Sequence, residues 1–462
     1  MGSAVMGNGA LLAAPDQNAT VVATTVPVVV AQNPDAPVES PAQTGGVVFG
    51  SSSTSPVEDQ GAVAQNALPT APTSGAITPV APDYYTPQRQ ATGEGFSKLP
   101  LRVGLTLGLI YDDNINISAT HQQSDFLQVL TPTITLETSR PDENHPFYVG
   151  VTFDPTIAFY DDHDNNNYVD FHVSANAQYK NGDFLAGVTQ SYDTYNGANI
   201  QFGGRLFNEV FNTRLYASMP ITEKINWDIE GIQTITNYDQ GYNNNQWLAD
   251  TYFDYAITGK LRLGAGGEFG FLNFVDGYQT NGGQVAAQSN NNDQTFQQFN
   301  LRAIYAYNEK LSYTGKLGFE TRQIDNGAST ITPVVDIGAL WSPFVHTTLQ
   351  FDGFRRTVAA IAQRNTNYDY TGCDLALKQG FLENFTAGLD LGYNNSNYIN
   401  VTPSQTYSGL TYNYYTVRPS ITWAPNKHFT TSVYYQYQKN ASTIPGSGFE
   451  DNQVGISGSV AY

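Results

Sequence analysis

The chain of 462 residues has a single cysteine, Cys373, so it can form neither an internal disulfide nor a cysteine-based metal site. A lone thiol of this kind reads as buried packing. Charge is also scarce. Only 13% of residues are Asp, Glu, Lys or Arg, with 41 carboxylates against 21 basic side chains. A nucleic-acid partner needs clustered Lys and Arg, and this deficit excludes one. No run of 18 or more apolar residues occurs, which removes a membrane-spanning helix but not membrane-spanning strands.

Aromatic residues are plentiful at 13%, chiefly 30 Tyr and 25 Phe, alongside 42 Gly. A weakly charged, Tyr- and Gly-rich composition suits strands with one lipid-facing and one watery side. Composition divides the chain near residue 99. Residues 1–98 hold 11 of the 23 prolines and almost no aromatic residue before Tyr84 apart from Phe49. Such a segment buries too little apolar area to offset chain entropy, and it reads as a disordered, low-complexity periplasmic linker: a plain spacer, or a tether for a periplasmic partner. Residues 1–14 are small and apolar but lack a basic residue (the first is Arg89), and they read as the remnant of a signal peptide with a truncated start, or else as part of the same tail.

From Leu101 the pattern has period two. Leu101, Val103, Leu105, Leu107, Leu109 and Tyr111 form one apolar row, and similar rows start at Phe147, Val169, Trp247, Phe385 and Phe429. A helix would show period 3.6. Two kinds of separator take turns. Short polar ones, such as Asn181-Gly182-Asp183, Thr222-Glu223-Lys224, Thr258-Gly259-Lys260 and Asn308-Glu309-Lys310, read as hairpin turns. Longer ones, rich in Asn, Asp, Gln and Gly, cover 161–167, 196–204, 276–293, 400–411 and 442–450. Short turns alternating with long loops is the asymmetry of an outer-membrane barrel. The spacing predicts an all-β fold, a closed antiparallel transmembrane barrel over residues 99–462. Eighteen strands fit best and sixteen second best: 101–113, 124–138, 147–161, 168–180, 184–195, 208–219, 225–238, 245–258, 261–275, 294–307, 311–325, 330–342, 346–360, 366–379, 385–399, 411–423, 428–441 and 451–462. Pro132, Pro155, Pro333 and Pro419 fall inside these strands and are expected to mark bulges.

Charge placement separates a membrane barrel from a soluble sandwich. Arg102, Asp154, Asp170, Arg214, Asp228, Glu230, Asp250, Asp254, Arg262, Glu268, Arg302, Lys316, Glu320, Arg322, Asp336, Asp352, Arg356, Asp390 and Arg418 all fall opposite the apolar rows. A charge at mid-bilayer on the lipid face costs about 2–4 kcal/mol, which accounts for the sorting. Eighteen strands enclose an aqueous channel rather than a packed core, so these side chains read as pore lining, or alternatively as ion pairs bracing the wall. Arg355 breaks the pattern near a strand end. Tyr111, Phe159, Tyr160, Tyr192, Tyr195, Tyr238, Tyr393, Tyr412, Tyr414 and Tyr415 sit near strand ends and read as interfacial girdles. The last strand alternates from Val454 and ends on Tyr462, resembling the signal read by the outer-membrane insertion machinery.

The first strand and its exit, Gly108-Leu109-Ile110-Tyr111-Asp112-Asp113-Asn114-Ile115, resemble the opening of the β-barrel porin type 2 family. Asp125 and the Trp423–Pro425 turn are similar too. The resemblance covers roughly residues 100–462, without the Ala/Pro-rich segment. It implies an 18-stranded barrel in the bacterial cell outer membrane, often associated with exopolysaccharide secretion.

Other chemistry finds little footing. A lipase-like site needs a Ser/His pair, and only His172 has a serine nearby on its face, Ser174; both point away from lipid. No Walker loop, dinucleotide fingerprint or zinc spacing is present, so neither cofactor nor metal is expected and the chain does not read as an enzyme. Loop 161–167 is rich in oxygen ligands but lacks the EF-hand spacing and reads as solvated. The expected function is a polar pore for exopolysaccharide export or polar solutes; the alternative is a non-conducting structural or surface-interaction barrel, obstructed by bulky inward residues such as Phe354 and Tyr434. The expected partners are outer-membrane lipid, polysaccharide or periplasmic export components, and the insertion machinery.

Overall fold

The computed structural model describes residues 101–138, 146–199, 204–239, 243–275, 293–325, 329–360, 366–399, 410–443 and 447–461. The segment 1–98, with its signal remnant at 1–14, lies outside the described residues, as do Tyr462 and most of the long connections 276–293 and 400–411.

The described residues form strand after strand: β1 Leu101–Asp112, β2 Asp125–Glu137, β3 Phe147–Phe153, β4 Thr156–Tyr160, β5 Tyr168–Asp170, β6 His172–Asn181, β7 Phe184–Asn199, β8 Gly204–Pro220, β9 Ile225–Tyr238, β10 Asn243–Ala256, β11 Leu261–Val275, β12 Gln294–Asn308, β13 Leu311–Ile324, β14 Ser329–Trp341, β15 Thr347–Ala359, β16 Asn367–Leu382, β17 Phe385–Ile399, β18 Thr411–Asn426, β19 Phe429–Ser442 and β20 Phe449–Ala461. Segments β3 and β4 are halves of one wall strand, and β5 and β6 of another, so twenty segments build eighteen wall strands. Each pairs antiparallel with the next, and β20 pairs back with β1 from Gly104↔Ala461 to Asp112↔Gln453. The sheet is closed, so it has no free edge strand to expose to lipid.

The prolines do not make bulges. Pro132 and Pro155 face each other: Ile134↔Phe153 and Leu130↔Ile157 share one register, with the gap between them centred on the two prolines. Neither ring nitrogen can donate, so the ladder is interrupted without shifting. The same gap separates β5 from β6, and Asp154 N still donates to His172 O at 3.0 Å. At Pro419 the β18–β19 ladder skips and resumes in register. At Pro333 the β13–β14 ladder runs on unshifted, while β14–β15 pairing stops at Val335. Register shifts occur instead beside short turns, at Ala306/Asn308, Gly380/Leu382 and Trp423/Asn426.

From β8 through β19 the register sets even numbers against even numbers on every adjacent pair. On these twelve strands even residues face inward and odd residues outward, except at the long-loop end of β15 and β16, where Thr357 and Asn367 are buried and bond inward residues. Lys316 is 3% exposed and its neighbour Leu317 59%. The inward set is odd on β2, β7 and β20, and even on β1 and β3–β6. Large apolar side chains are exposed all round the outside: Leu107, Phe126, Leu215, Trp247, Phe299, Leu301, Ile331 and Ile421 among them. This inversion of the soluble pattern is what a hydrocarbon surround requires. Cys373 belongs to the outward set of β16 and is exposed, not buried packing, because its odd number puts it on the lipid side.

The short turns share a local device. Thr222 Oγ1 accepts from the backbone N–H groups of Lys224 (3.2 Å) and Ile225 (3.0 Å), and Thr258 Oγ1 from Lys260 (3.1 Å) and Leu261 (3.0 Å). Asn308 Oδ1 accepts from Lys310 N at 2.9 Å, and Asn426 Oδ1 from His428 N at 2.9 Å and Phe429 N at 3.1 Å. Each side chain thus closes its own hairpin. The β6–β7 turn uses Gly182 instead, at φ 58°, where a side chain would be strained.

Candidate functional site

Ionised and amide side chains gather along the inward face, and its chemistry differs around the circuit. On β8–β13 the charges interlock. Arg214 forms a two-pronged pair with Glu230, Nε to Oε1 at 2.6 Å and Nη2 to Oε2 at 2.8 Å. Arg302, on β12, reaches over β11: its Nε meets Asp254 Oδ1 at 2.7 Å, and its Nη2 bonds both Asp254 and Asp228. Gly264 makes that reach possible, since a Cβ there would lie 2.0 Å from Asp254 Oδ1 and 2.9 Å from Arg302 Cγ. The Arg302 guanidinium also lies 4.2 Å from the centre of the Tyr252 ring. Lys316 Nζ pairs with Asp336 Oδ2 at 2.9 Å, and Arg322 Nε with Glu320 Oε1 at 2.7 Å. Gln298 Nε2 bridges Glu268 and Glu320 at 2.9 Å each, and Asp250 stands in register between Glu230 and Glu268.

Half a circuit away, β18–β20 carry hydroxyls and amides. Thr416, Thr422, Thr430, Ser432, Gln436, Gln438, Asn440, Ser457 and Ser459 are buried and inward-facing. Arg418 is opposite Asp390 in register and stacks 4.5 Å from the Tyr434 ring centre; that ring in turn lies flat over Gly455, where a Cβ would meet it at 2.3 Å. Arg356 lies over Phe354 (4.8 Å) and Tyr370 (5.6 Å). Of the remaining interior candidates, Asp352 faces Asp374 in register and accepts from Gln350 at 2.8 Å, Arg262 sits half-buried on β11, and Arg102 pairs with Glu137 near the short-turn end. Asp170 accepts from Asn196 N at 3.1 Å and Nδ2 at 2.5 Å, and Asp154 lies 3.9 Å from His172 Nε2.

The long-loop end is narrowed. The connection after β1 turns inward instead of outward. Ile115 is buried among Ile110, Leu127, Val129, Ala158, Tyr160 and Tyr168, and Ile117 among Val358, Tyr368, Tyr370, Tyr398, Tyr412, Tyr414 and Phe449. The loop thereby touches both sides of the mouth. Ile117 has φ 45°, a left-handed conformation that a β-branched residue rarely adopts. Asn114 holds it there: its carbonyl accepts from Ile117 N (2.8 Å), its Oδ1 from Ser118 N (2.9 Å), and its Nδ2 donates to Ser118 O (3.0 Å) and Glu450 O (2.8 Å). Arg205 Nη1 donates to Ile115 O at 3.2 Å and to the Tyr160 hydroxyl at 3.1 Å. Gln294 Nε2 reaches Asn367 Oδ1 on β16 at 3.0 Å, a second tie between non-neighbouring strands.

Several expectations change against this geometry. Tyr195 is exposed; Tyr111, Phe159 and Tyr415 are exposed outside, with Tyr192 and Tyr393 half-buried there, but Tyr160, Tyr238, Tyr412 and Tyr414 point inward and are buried. Their numbers put them on the inward parity, so they line the mouth rather than a girdle. A second outward aromatic band, unrecognised from the sequence, rings the short-turn end with Phe147, Tyr307, Tyr313, Trp341, Phe344, Phe381 and Trp423. The His172 ring bonds Asp193, and Ser191 Oγ donates to the same carboxylate at 3.0 Å. Loop 161–167 is not merely solvated, since Asp125 gathers the N–H groups of Asp161 (3.2 Å), Asp162 (3.1 Å) and His163 (2.9 Å). Arg355, outward-facing, pairs with Asp369 at 2.8 Å near the long-loop end, where Lys439 and Glu450 also pair at 2.5 Å.

A closed antiparallel barrel, apolar outside and polar inside, defines the outer-membrane porin-like class of fold. Residues 309–462, from the β12–β13 turn onward, match the family model described as "Putative beta-barrel porin 2", the family that the opening strand resembles. No curated protein matches the sequence. Among solved structures, the chain is similar to Pseudomonas aeruginosa OccK2 (OpdF) at 10% identity and TM-score 0.43, covering 78% of this chain and 98% of that one. It is also similar to the outer membrane protein opdK from Pseudomonas aeruginosa (10% identity, TM-score 0.42, 78% and 99% covered). The FrpB iron transporter from Neisseria meningitidis, F3-3 variant, gives 10% identity and TM-score 0.41, with 74% and 62% covered.

Proposed function

We propose that this barrel is a pore of the bacterial outer membrane, with short turns in the periplasm and long loops outside, passing polar molecules along its inward face. The observation that carries this reading is the sorting of charged and amide side chains inward while the mid-strand exterior stays apolar. A wall of eighteen strands is wide enough for water, and ionised and amide groups along its inner face suit a wet lumen. Export of exopolysaccharide is the finer reading. Its support is the β16–β20 side, where tyrosine faces alternate with hydroxyls and amides, groups suited to the C–H faces and hydroxyls of sugars. Periplasmic export components and the segment 1–98 as a tether belong to this reading, and the insertion machinery would read the last strand. The proposal contains no catalytic step.

Single-channel recording of the refolded chain in planar bilayers tests it. The expected result is small, noisy conductance in the unaltered protein and a larger, longer-lived open level in Ile117→Gly, which empties the aromatic cluster and frees the loop. The second reading, a barrel closed at rest, is favoured by that same cluster around Ile117. No conductance in either protein would remove the pore and leave the structural barrel.

A further inference from the structure

The closing seam between β1 and β20 ends at a group of carboxylates that nothing in the pore reading uses. Asp112, Asp113 and Asp451 each place an oxygen within 4.8 Å of the other two. Asp112 is 2% exposed and Asp451 1%. Among the described residues none of the three forms an ion pair. The nearby guanidinium of Arg205 makes its hydrogen bonds from Nη1, to Ile115 O and the Tyr160 hydroxyl, and not to these carboxylates. Two buried carboxylates side by side without a directly bonded cation repel strongly in a low-dielectric setting.

A fourth group points to what resolves this. Gln453 is 2% exposed and is register partner to Asp112. Its carboxamide is wedged between the carboxylates, Nε2 lying 3.0 Å from Asp112 Oδ2 and 3.1 Å from Asp451 Oδ2. Its Oε1 is buried without a hydrogen-bond partner, and so is Asp451 Oδ1. A half-turn of the amide, whose two ends are nearly equivalent in shape, would present Oε1 to the same spot.

We propose that Asp112, Asp113, Asp451 and Gln453 bind a calcium ion at the long-loop end of the seam. Hard oxygen donors, three of them anionic, are what Ca²⁺ takes, with water completing six to eight ligands. A metal–oxygen distance of about 2.3–2.6 Å lets donors on opposite sides of the ion lie about 5 Å apart, so the 4.8 Å span of the three carboxylates fits once the Gln453 amide has turned. The ion would join three things. It would bridge the first and last strands, neutralise the buried pair, and fix the root of the inward loop through Asp113 and Asn114. Asp113 already accepts from Asn452 N and Nδ2 at 2.8 Å each, and Asn114 N donates to Asp112 Oδ1 at 2.8 Å, so the donors are held in place by the seam itself.

Calorimetric titration of the EDTA-stripped, refolded full chain with calcium chloride tests the site. One saturable site per chain is expected, with a dissociation constant of about 10⁻⁴–10⁻³ M, the range of extracellular modules. Asp451→Asn should weaken it at least tenfold, and Asp164→Asn, in loop 161–167, should leave it unchanged. In EDTA, Asp451→Asn should melt at or above the unaltered protein, because it removes a buried charge; this also shows that the variant folds. Calcium should then raise the melting temperature of the unaltered chain and not that of the variant. No saturable binding by the unaltered chain, Asp451→Asn binding as tightly as the parent, or binding abolished by Asp164→Asn would each overturn the proposal.

Discussion

The wall of β8–β13 and the wall of β18–β20 share burial and strand length, yet they satisfy their polar groups by different means. In the first, Arg214, Arg302, Lys316 and Arg322 each find a carboxylate, and Gln298 links two more. In the second, neutral groups predominate, and Thr416 Oγ1, Gln436 Oε1 and Asn440 Oδ1 have no hydrogen-bond partner. The difference teaches that one architecture carries two tasks. The charged lattice ties neighbouring strands together and braces the barrel, although Asn300 Oδ1 within it is unpartnered too. The neutral wall leaves hydrogen-bonding capacity unused along the lumen, which is what the proposed pore would need.

Breaking the lattice should have the largest effect. Arg302→Ala strands Asp228 and Asp254 together, and removing one partner of a buried pair costs about 3–5 kcal/mol. Urea unfolding of the protein folded into lipid vesicles should show it as a lower midpoint. If the loss is no greater than for a change on β19, the lattice is not a brace. Next comes the inside–outside distinction on which both walls depend. Leu317→Arg places a charge on the lipid face one residue from Lys316 and should cost about 2–4 kcal/mol by the same measurement. A neutral result would mean that β13 does not present residue 317 to lipid. The smallest effect is expected on the neutral wall. Gln436→Leu removes an amide with an unmatched oxygen and should change stability by about 1 kcal/mol or less. Its consequence should appear instead in conductance or in block by added oligosaccharide.

Much of the wall was legible in the residues because period two is a local signal. The strands at 225–238, 261–275 and 385–399 have the expected ends. The inward charges follow from the same alternation. What could not be read depends on strands meeting. Pro132 looked like a bulge until its partner proved to be Pro155. Tyr412 and Tyr415 looked alike near one strand end, and only the register assigns the first to the mouth and the second to the outside. That Arg302 would gather Asp228 and Asp254 required knowing that Gly264 clears its path. The run Tyr111-Asp112-Asp113-Asn114-Ile115 was recognisable as a pattern, but its work of folding a loop into the mouth involves Glu450 and Asn452, more than 300 residues away.

The side chains that staple the short turns bear on assembly order. Each hairpin closed by Thr222, Thr258, Asn308 or Asn426 joins residues adjacent in the chain and needs no help from the rest of the wall. Pairing between near neighbours forms fast, and pairing between distant ones waits on loop closure. Nearly every ladder here is of the first kind. The seam of β1 with β20 is of the second, uniting residue 104 with residue 461. Growth of the sheet would thus be a zipper of ready-made units, with a single slow clasp at the end. That clasp is the rung where Asp112 meets Gln453, so the last step of folding falls where the first loop takes its place.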